Sequence, residues 1–195
     1  MLSIGWLYLI PTLIWGSTWI VILGQLGTVS PEVSVFYRFV IASSVAFLYA
    51  VYRKSILRFK KEDHLWFAFQ GACNFSLNYI LTYYSEQHIT TGLVAVIFSL
   101  LPYFNTIGAY IFYKEKLNLK SIVALICGGL GIFLIFKDKI HINESASIGF
   151  ILAFIGTMLS SSGNLISVRL HKKKIPVIAS LPWAMFYGAL FSLLV

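Results

Sequence analysis

Seven stretches of this chain are each long and apolar enough to cross a bilayer, and this excludes most folds before any motif is read. A spanning helix needs about 20 predominantly apolar residues at about 1.5 Å per residue. Such stretches fall at about 4–26, 32–52, 65–84, 91–113, 119–136, 147–168 and 177–195. Backbone in hydrocarbon must satisfy its own hydrogen bonds, so the expected fold is an all-α integral membrane bundle of about seven transmembrane helices. Composition agrees: 58% of the residues are hydrophobic and 11% charged, against about 25% charged in soluble domains. Mean hydropathy is +0.83. A soluble helical core would need polar helix faces that most of these stretches lack. The first stretch is span-length, lacks a basic leader and precedes another span, so it reads as a bundle helix rather than a signal peptide.

The net charge of +8 would suit nucleic acid if it formed one patch, but it is divided by loop. Arg53, Lys54, Arg58, Lys60 and Lys61 share one connection, Lys114, Lys116 and Lys120 another, and Arg169, Lys172, Lys173 and Lys174 a third. Alternating spans put these twelve on one side, with Lys137 and Lys139 opposite. The positive-inside rule then places the N-terminus in the cytoplasm of a multi-pass protein of the cytoplasmic membrane. Tyr49, Tyr52, Tyr110, Tyr113 and Trp66 flank the basic loops and suit an interfacial belt. Cys73 and Cys127 fall inside spans and read as buried small hydrophobes, without metal or disulfide spacing.

A weak internal repeat runs through the chain. Ser3-Ile4-Gly5 recurs as Ser147-Ile148-Gly149, and the cluster Gly16-Ser17-Thr18 faces Ser160-Ser161-Ser162 at the same offset. Pro31 faces Pro176 one residue further on. Five spans separate the copies, so the second is expected to run inverted, in the manner of many transporter folds. The expected division is a five-helix repeat at 1–136 and an incomplete second repeat of two helices at 147–195. The shortfall fits a truncated chain or fragment, or a short protein completed by a partner.

The runs "IWGSTWI" (14–20), "SPEVSVFYRF" (30–39) and "TTGLVAVIFSLLPYFNTIGAYIFYKEKLNLKSIVALICGGLGIFLIF" (90–136) resemble the EamA family of the drug/metabolite transporter superfamily. The resemblance covers the first repeat throughout and the second more loosely. It implies ten helices in two inverted five-helix repeats around a central cavity that carries metabolites such as amino acids. Relative to that pattern three helices are absent, so a dimer or missing C-terminal helices are the expected means of completion.

Several residues are candidates for a substrate cavity. Arg38 is the one Lys or Arg well inside a span. A charge there is costly, so it either snorkels to the interface or lines a wet cavity, where its planar fork suits a carboxylate or phosphate. Pro102, mid-way along the fourth span, is expected to kink it and to bring Ser99 and Asn105 towards a cavity; Pro11 stands similarly in the first. Asn74 and Asn78, one turn apart, share a face near Tyr79 and Tyr83, which suits solute binding or interhelical hydrogen bonding. Trp15 and Ser17 suit cavity wall or packing, and Asn164 is a weaker candidate. Ala124, Gly128 and Gly131 form a small-residue stripe for helix packing on the fifth span. Glu115 is expected to pair locally with Lys114 or Lys116.

All seven acidic residues lie at span ends or in loops, and the four histidines lie in or beside loops. No phosphate loop, metal cluster or intramembrane Ser–His pair is evident, so neither enzyme activity nor a cofactor is expected. The leading expectation is a secondary transporter of a small, amino-acid-like or otherwise polar or amphipathic solute, working by alternating access in a lipid bilayer. The rival is a non-transporting paralogue or helix-packing membrane partner.

Overall fold

The computed structural model describes residues 4–25, 27, 29–136 and 144–195, all within or between helices. The helices are α1 (Ile4–Gln25), α2 (Pro31–Tyr52), α3 (Lys61–Ala72), α4 (Asn78–Glu86), α5 (Thr91–Phe98), α6 (Leu101–Tyr113), α7 (Leu119–Phe136), α8 (Glu144–Lys172) and α9 (Val177–Ser192). A π turn over Cys73–Leu77 welds α3 to α4, and a two-residue break at Ser99 and Leu100 separates α5 from α6. The described residues thus form seven rods at the positions expected for seven spans. Pro31–Tyr52, Thr91–Tyr113 and Ala146–Lys172 are long and apolar enough to cross a bilayer by themselves.

The fourth rod departs from expectation at Pro102. An interior proline would lose a bond and clash with the carbonyl four residues back. The rod instead ends at Phe98 and restarts at Leu101, with Pro102 in the first turn, where a missing N–H costs nothing. In α1, by contrast, the helix continues through Pro11.

The bundle is built on close contacts between the earlier rods and the last two. α9 lies along α2 and α3, and α8 lies along α4 and α6. Glycine makes the approach possible: a Cβ on Gly71 would stand 2.3 Å from the Ala184 carbonyl oxygen, and one on Gly188 would stand 2.8 Å from that of Gly71. Buried clusters sit at both ends, Phe67, Ile166, Leu170 and Ile175 at one and Ile22, Val35, Phe39, Ile80 and Tyr83 at the other. Large apolar side chains such as Leu48, Ile111, Phe112, Leu119 and Ile151 point outward on every flank, which suits a surface solvated by lipid rather than water.

One end is basic. Lys54, Lys114 and Lys174, at the ends of the second, fourth and sixth rods, all adopt positive φ of 53–61°, a left-handed geometry that glycine usually supplies. Cations there favour the negative end of the helix dipole. Lys172 pairs with Glu115 at 3.2 Å and Lys173 with Asp63 at 3.1 Å. Arg169 lies over Trp66. Glu115 therefore pairs across the bundle, not with its sequence neighbours.

α7 is held more loosely. Its main tie is the Tyr103 hydroxyl, which donates to the Leu125 carbonyl. Cys127 on this helix is exposed, while Cys73 is buried, so only one of the two cysteines is the small core hydrophobe expected. Tyr103→Phe removes that bond, worth about 1 kcal/mol. The expected result is faster amide exchange confined to 119–136, with the melting temperature of the rest unchanged.

Candidate functional site

The third rod carries a polar residue at every fourth position, namely Gln70, Asn74, Asn78, Thr82 and Glu86. In an unbroken α-helix such a series drifts by about 40° per step, or about 160° over four steps. The π turn at Cys73–Leu77 inserts one extra residue and takes back about 100°. The stripe therefore stays largely on one side of the rod. Gln70, Asn78, Thr82 and Glu86 are buried, and Asn74 is half-buried.

At mid-depth the stripe meets α6 and α8 in a chain of side-chain hydrogen bonds. Asn74 Nδ2 donates to Asn164 Oδ1 at 3.1 Å, and the Ser160 hydroxyl donates to Asn74 Oδ1 at 3.1 Å. Asn164 Nδ2 reaches Asn105 Oδ1 at 3.5 Å. Gly163 admits Asn74, since a Cβ there would stand 2.7 Å from its amide carbon. Asn74 thus bonds between helices, and its partner Asn164 lines a cavity.

That cavity, about 600 Å³, lies between α6, the start of α7 and α8, and extends from the amides towards the basic end. Asn105, Thr106, Asn118, Ser121, Asn164 and Ser167 give it a polar lining, with Glu115 and Lys116 at its margin. An open groove of this size, lined by both polar and apolar side chains, can hold water or a small organic molecule.

A second polar group lies towards the other end. The Arg38 guanidinium sits 5.3 Å from the centre of the Tyr79 ring, and its Nη1 is buried without a hydrogen-bond partner. Of the two arrangements open to Arg38, the observed one turns its head group inward onto an aromatic face. Phe39 packs edge-on against the same ring at 4.9 Å. The Tyr83 hydroxyl donates to Gln25 Oε1 at 2.5 Å, and that of Tyr84 donates to Glu32 at 2.6 Å, tying α1 and α2 to the third rod. Asn78 Oδ1 and both Glu86 oxygens are buried and unpartnered.

Arg38 and Tyr79 thus meet where α2 packs on the third rod, whereas Asn74 and Asn78 face α8. Trp15, Ser17, Ser99 and Pro102 stand apart and are exposed, with the Ser17 and Ser99 hydroxyls bonded to their own helix carbonyls. Gly128 meets the Tyr103 hydroxyl, Gly131 faces open space, and Ala124 is exposed. Sequence reasoning passes over Gln70, Ser160 and Glu86. The four-residue polar interval on the third span is the signal that would find Gln70 and Glu86. Among the described residues, no cluster of three or more His, Cys, Asp or Glu side chains suits a metal.

Comparison with known proteins bears on what this arrangement belongs to. An uncharacterized transporter, YoaV, of Bacillus subtilis is 29% identical over 185 residues, covering 93% of this chain and 62% of its own length. Protein PagO of Salmonella typhimurium is 29% identical over 123 residues, covering 63% of this chain and 40% of its own length. An uncharacterized transporter of Buchnera aphidicola, from the trpA 3′ region, is 24% identical over 154 residues, covering 79% of this chain and 51% of its own length. The chain thus spans between two-fifths and three-fifths of the relatives named. No solved structure matches it significantly. The profile of the EamA-like transporter family matches residues 2–137, and together with the multi-helix apolar bundle this makes the chain a member of that family.

Proposed function

We propose that this chain forms the substrate-handling part of a secondary transporter that moves a small, amino-acid-like or similarly polar organic solute across the cytoplasmic membrane. The observation that carries the reading is the polar path itself. The amide chain of Asn74, Asn105 and Asn164 forms the inner limit of a cavity of about 600 Å³ opening towards the basic end. Half-buried amides in an apolar bundle are costly unless paired with each other or with a polar guest, and these serve both ends. In this reading the basic end is cytoplasmic, as the loop charges favour. Residues 1–136 and 147–195 belong to two inverted repeats, and their relative motion exposes the path alternately to the two sides.

Two measurements test this. In proteoliposomes of the 195-residue chain, labelled neutral amino acids are expected to equilibrate faster than in empty vesicles; equal rates would reject transport by the chain as it stands. In a background lacking Cys73 and Cys127, Ser167→Cys and Asn105→Cys are expected to react with a charged thiol reagent from the basic side. Ile111→Cys, on the lipid face, is expected to stay unreactive. Protection of both cavity positions would mean that the cavity is not wet.

A further inference from the structure

Three of the rods stop in the same unusual way. Lys54, Lys114 and Lys174 follow the second, fourth and sixth rods with φ of 53–61°, and among the described residues no other non-glycine residue takes positive φ. After Lys54 and Lys174 the next N–H reaches back five residues, from Ser55 to the Ala50 carbonyl and from Ile175 to that of Leu170. After Lys114 it reaches back six, from Glu115 to Ala109. Such a stop needs one left-handed residue, and glycine fills that place without steric cost. A side chain there crowds its own backbone, so three lysines in three such places call for a reason outside backbone geometry.

The helix dipole does not supply that reason. A cation is favoured near the last carbonyls, but Arg53 and Lys173 already stand one residue earlier in the second and sixth rods, Arg53 with an ordinary φ of −79°. Ion pairing does not supply it either. At this end Glu115 is taken by Lys172 and Asp63 by Lys173, whereas Lys54, Lys114 and Lys174 are exposed. What the three share is their height. Exposed tyrosines just before two of them, Tyr52 at 80% and Tyr110 at 56%, mark the interface between hydrocarbon and headgroups. A lysine beyond such a belt lays its stem along the apolar flank and ends among the lipid phosphates. Below the belt the flank is apolar and open, with Leu48, Ile111 and Phe112 each more than half exposed.

We propose that Lys54, Lys114 and Lys174 form a three-point seat for anionic phospholipids, each ammonium group taking the phosphate of one lipid whose acyl chains lie on the flank beneath. Two chemistries are matched at each point, a cation for the headgroup and exposed aliphatic and aromatic side chains for the chains. A free phosphate ion offers only the first and is screened by salt within about 10 Å, so the partner is a lipid. The strained backbone is retained because glycine, which would relieve it, carries no charge. The seat fixes the depth and tilt of the bundle at three rods at once, and it holds whatever solute the protein carries.

Melting of the full 195-residue chain in lipid nanodiscs tests the seat, comparing discs of phosphatidylcholine with discs containing phosphatidylglycerol. The anionic lipid is expected to raise the melting temperature of the wild type. The triple variant Lys54→Gly, Lys114→Gly, Lys174→Gly is expected to lose about 6 °C or more of that increment, while melting no lower than the wild type in phosphatidylcholine, since glycine suits all three stops. It keeps nine of the twelve basic residues of this end (twelve less three), so the orientation signal stands. Lys→Arg at the same three positions is expected to retain the increment. Arg58→Gln, Lys60→Gln and Lys120→Gln together, which remove as much charge from the same end, are expected to keep most of it. An increment untouched by the glycine variant, or lost equally in the Arg58, Lys60 and Lys120 control, overturns the seat. So does an equal increment from inorganic phosphate added to phosphatidylcholine discs.

Discussion

Gly71→Leu is expected to prevent this bundle from assembling. The α-carbon of Gly71 faces the backbone of α9, where even a methyl group would stand 2.3 Å from the Ala184 carbonyl oxygen and 2.7 Å from the Gly188 nitrogen. A flexible side chain can move aside for an intruder, but a backbone carbonyl fixed in a helix cannot. Overpacking typically costs 1–3 kcal/mol. This site is expected to exceed about 3 kcal/mol, because the helices themselves must separate. For a protein of this size each kcal/mol lowers the melting temperature by about 2–4 °C. The check is fluorescence-detected gel filtration after a temperature ramp, in which Gly71→Leu should lose its monodisperse peak at or near room temperature. Gly131→Ala is the control: a Cβ there meets nothing within 4 Å, and the better helix former is expected to be neutral or to gain about 0.5–1 kcal/mol.

The second large effect is expected at Asn74. Asn74→Leu is similar in size but removes both ends of its amide. Asn164 Oδ1 loses its donor, and the Ser160 hydroxyl, which is buried, loses its acceptor. Single hydrogen bonds between membrane helices are worth about 0.6 kcal/mol on average and up to about 1.7. Leaving a buried group unpaired raises the cost to about 1–3 kcal/mol. With two groups orphaned, a loss near the upper end of that range is expected, with a fall in melting temperature of several degrees and loss of solute flux. Asn164→Leu should cost a similar amount. The double variant should cost clearly less than the sum, because each single change already breaks the bond they share. Full additivity would mean that the two amides do not act on each other.

Much of the fold is legible in the sequence, because a bilayer imposes a length that a run of apolar residues either meets or fails. The apolar run 65–84 lies within the rod 61–86, and 32–52 within Pro31–Tyr52. What escapes is whatever depends on neighbours remote in the chain. Pro102 marks the right neighbourhood for irregularity, but a proline rule foresees a bend in a helix, not a helix ended and restarted a turn earlier. Glu115 has lysines on both sides in sequence. Adjacent residues on a helix end point in different directions, so its partner comes from α8 instead. Glu86 looks solvated because it follows the last apolar residue of its span. Its burial is created by packing in three dimensions, with Thr91 of α5 against it. Trp15, Ser99 and Pro102 carry polar or irregular character into their spans, yet nothing local says towards which side of the bundle they turn.

The π turn at Cys73–Leu77 has a mechanical side. It stores one residue's worth of winding, about 100° of rotation and 1.5 Å of advance, at the midpoint of the rod that bears the polar stripe. Below it, Gly71 is clamped backbone to backbone against α9, so the lower half cannot turn. Above it, the ties to α1 and α2 are side-chain hydrogen bonds from Tyr83 and Tyr84, which are exchangeable. Rewinding those five residues into α geometry would carry Asn78, Tyr79, Tyr83 and Glu86 round the axis as a unit while Gln70 stayed in place. The upper half is tied to α8 as well, through the Ser85 hydroxyl, which donates to the Gly149 carbonyl at 2.8 Å, so such a turn would have to carry α8 with it or break that bond.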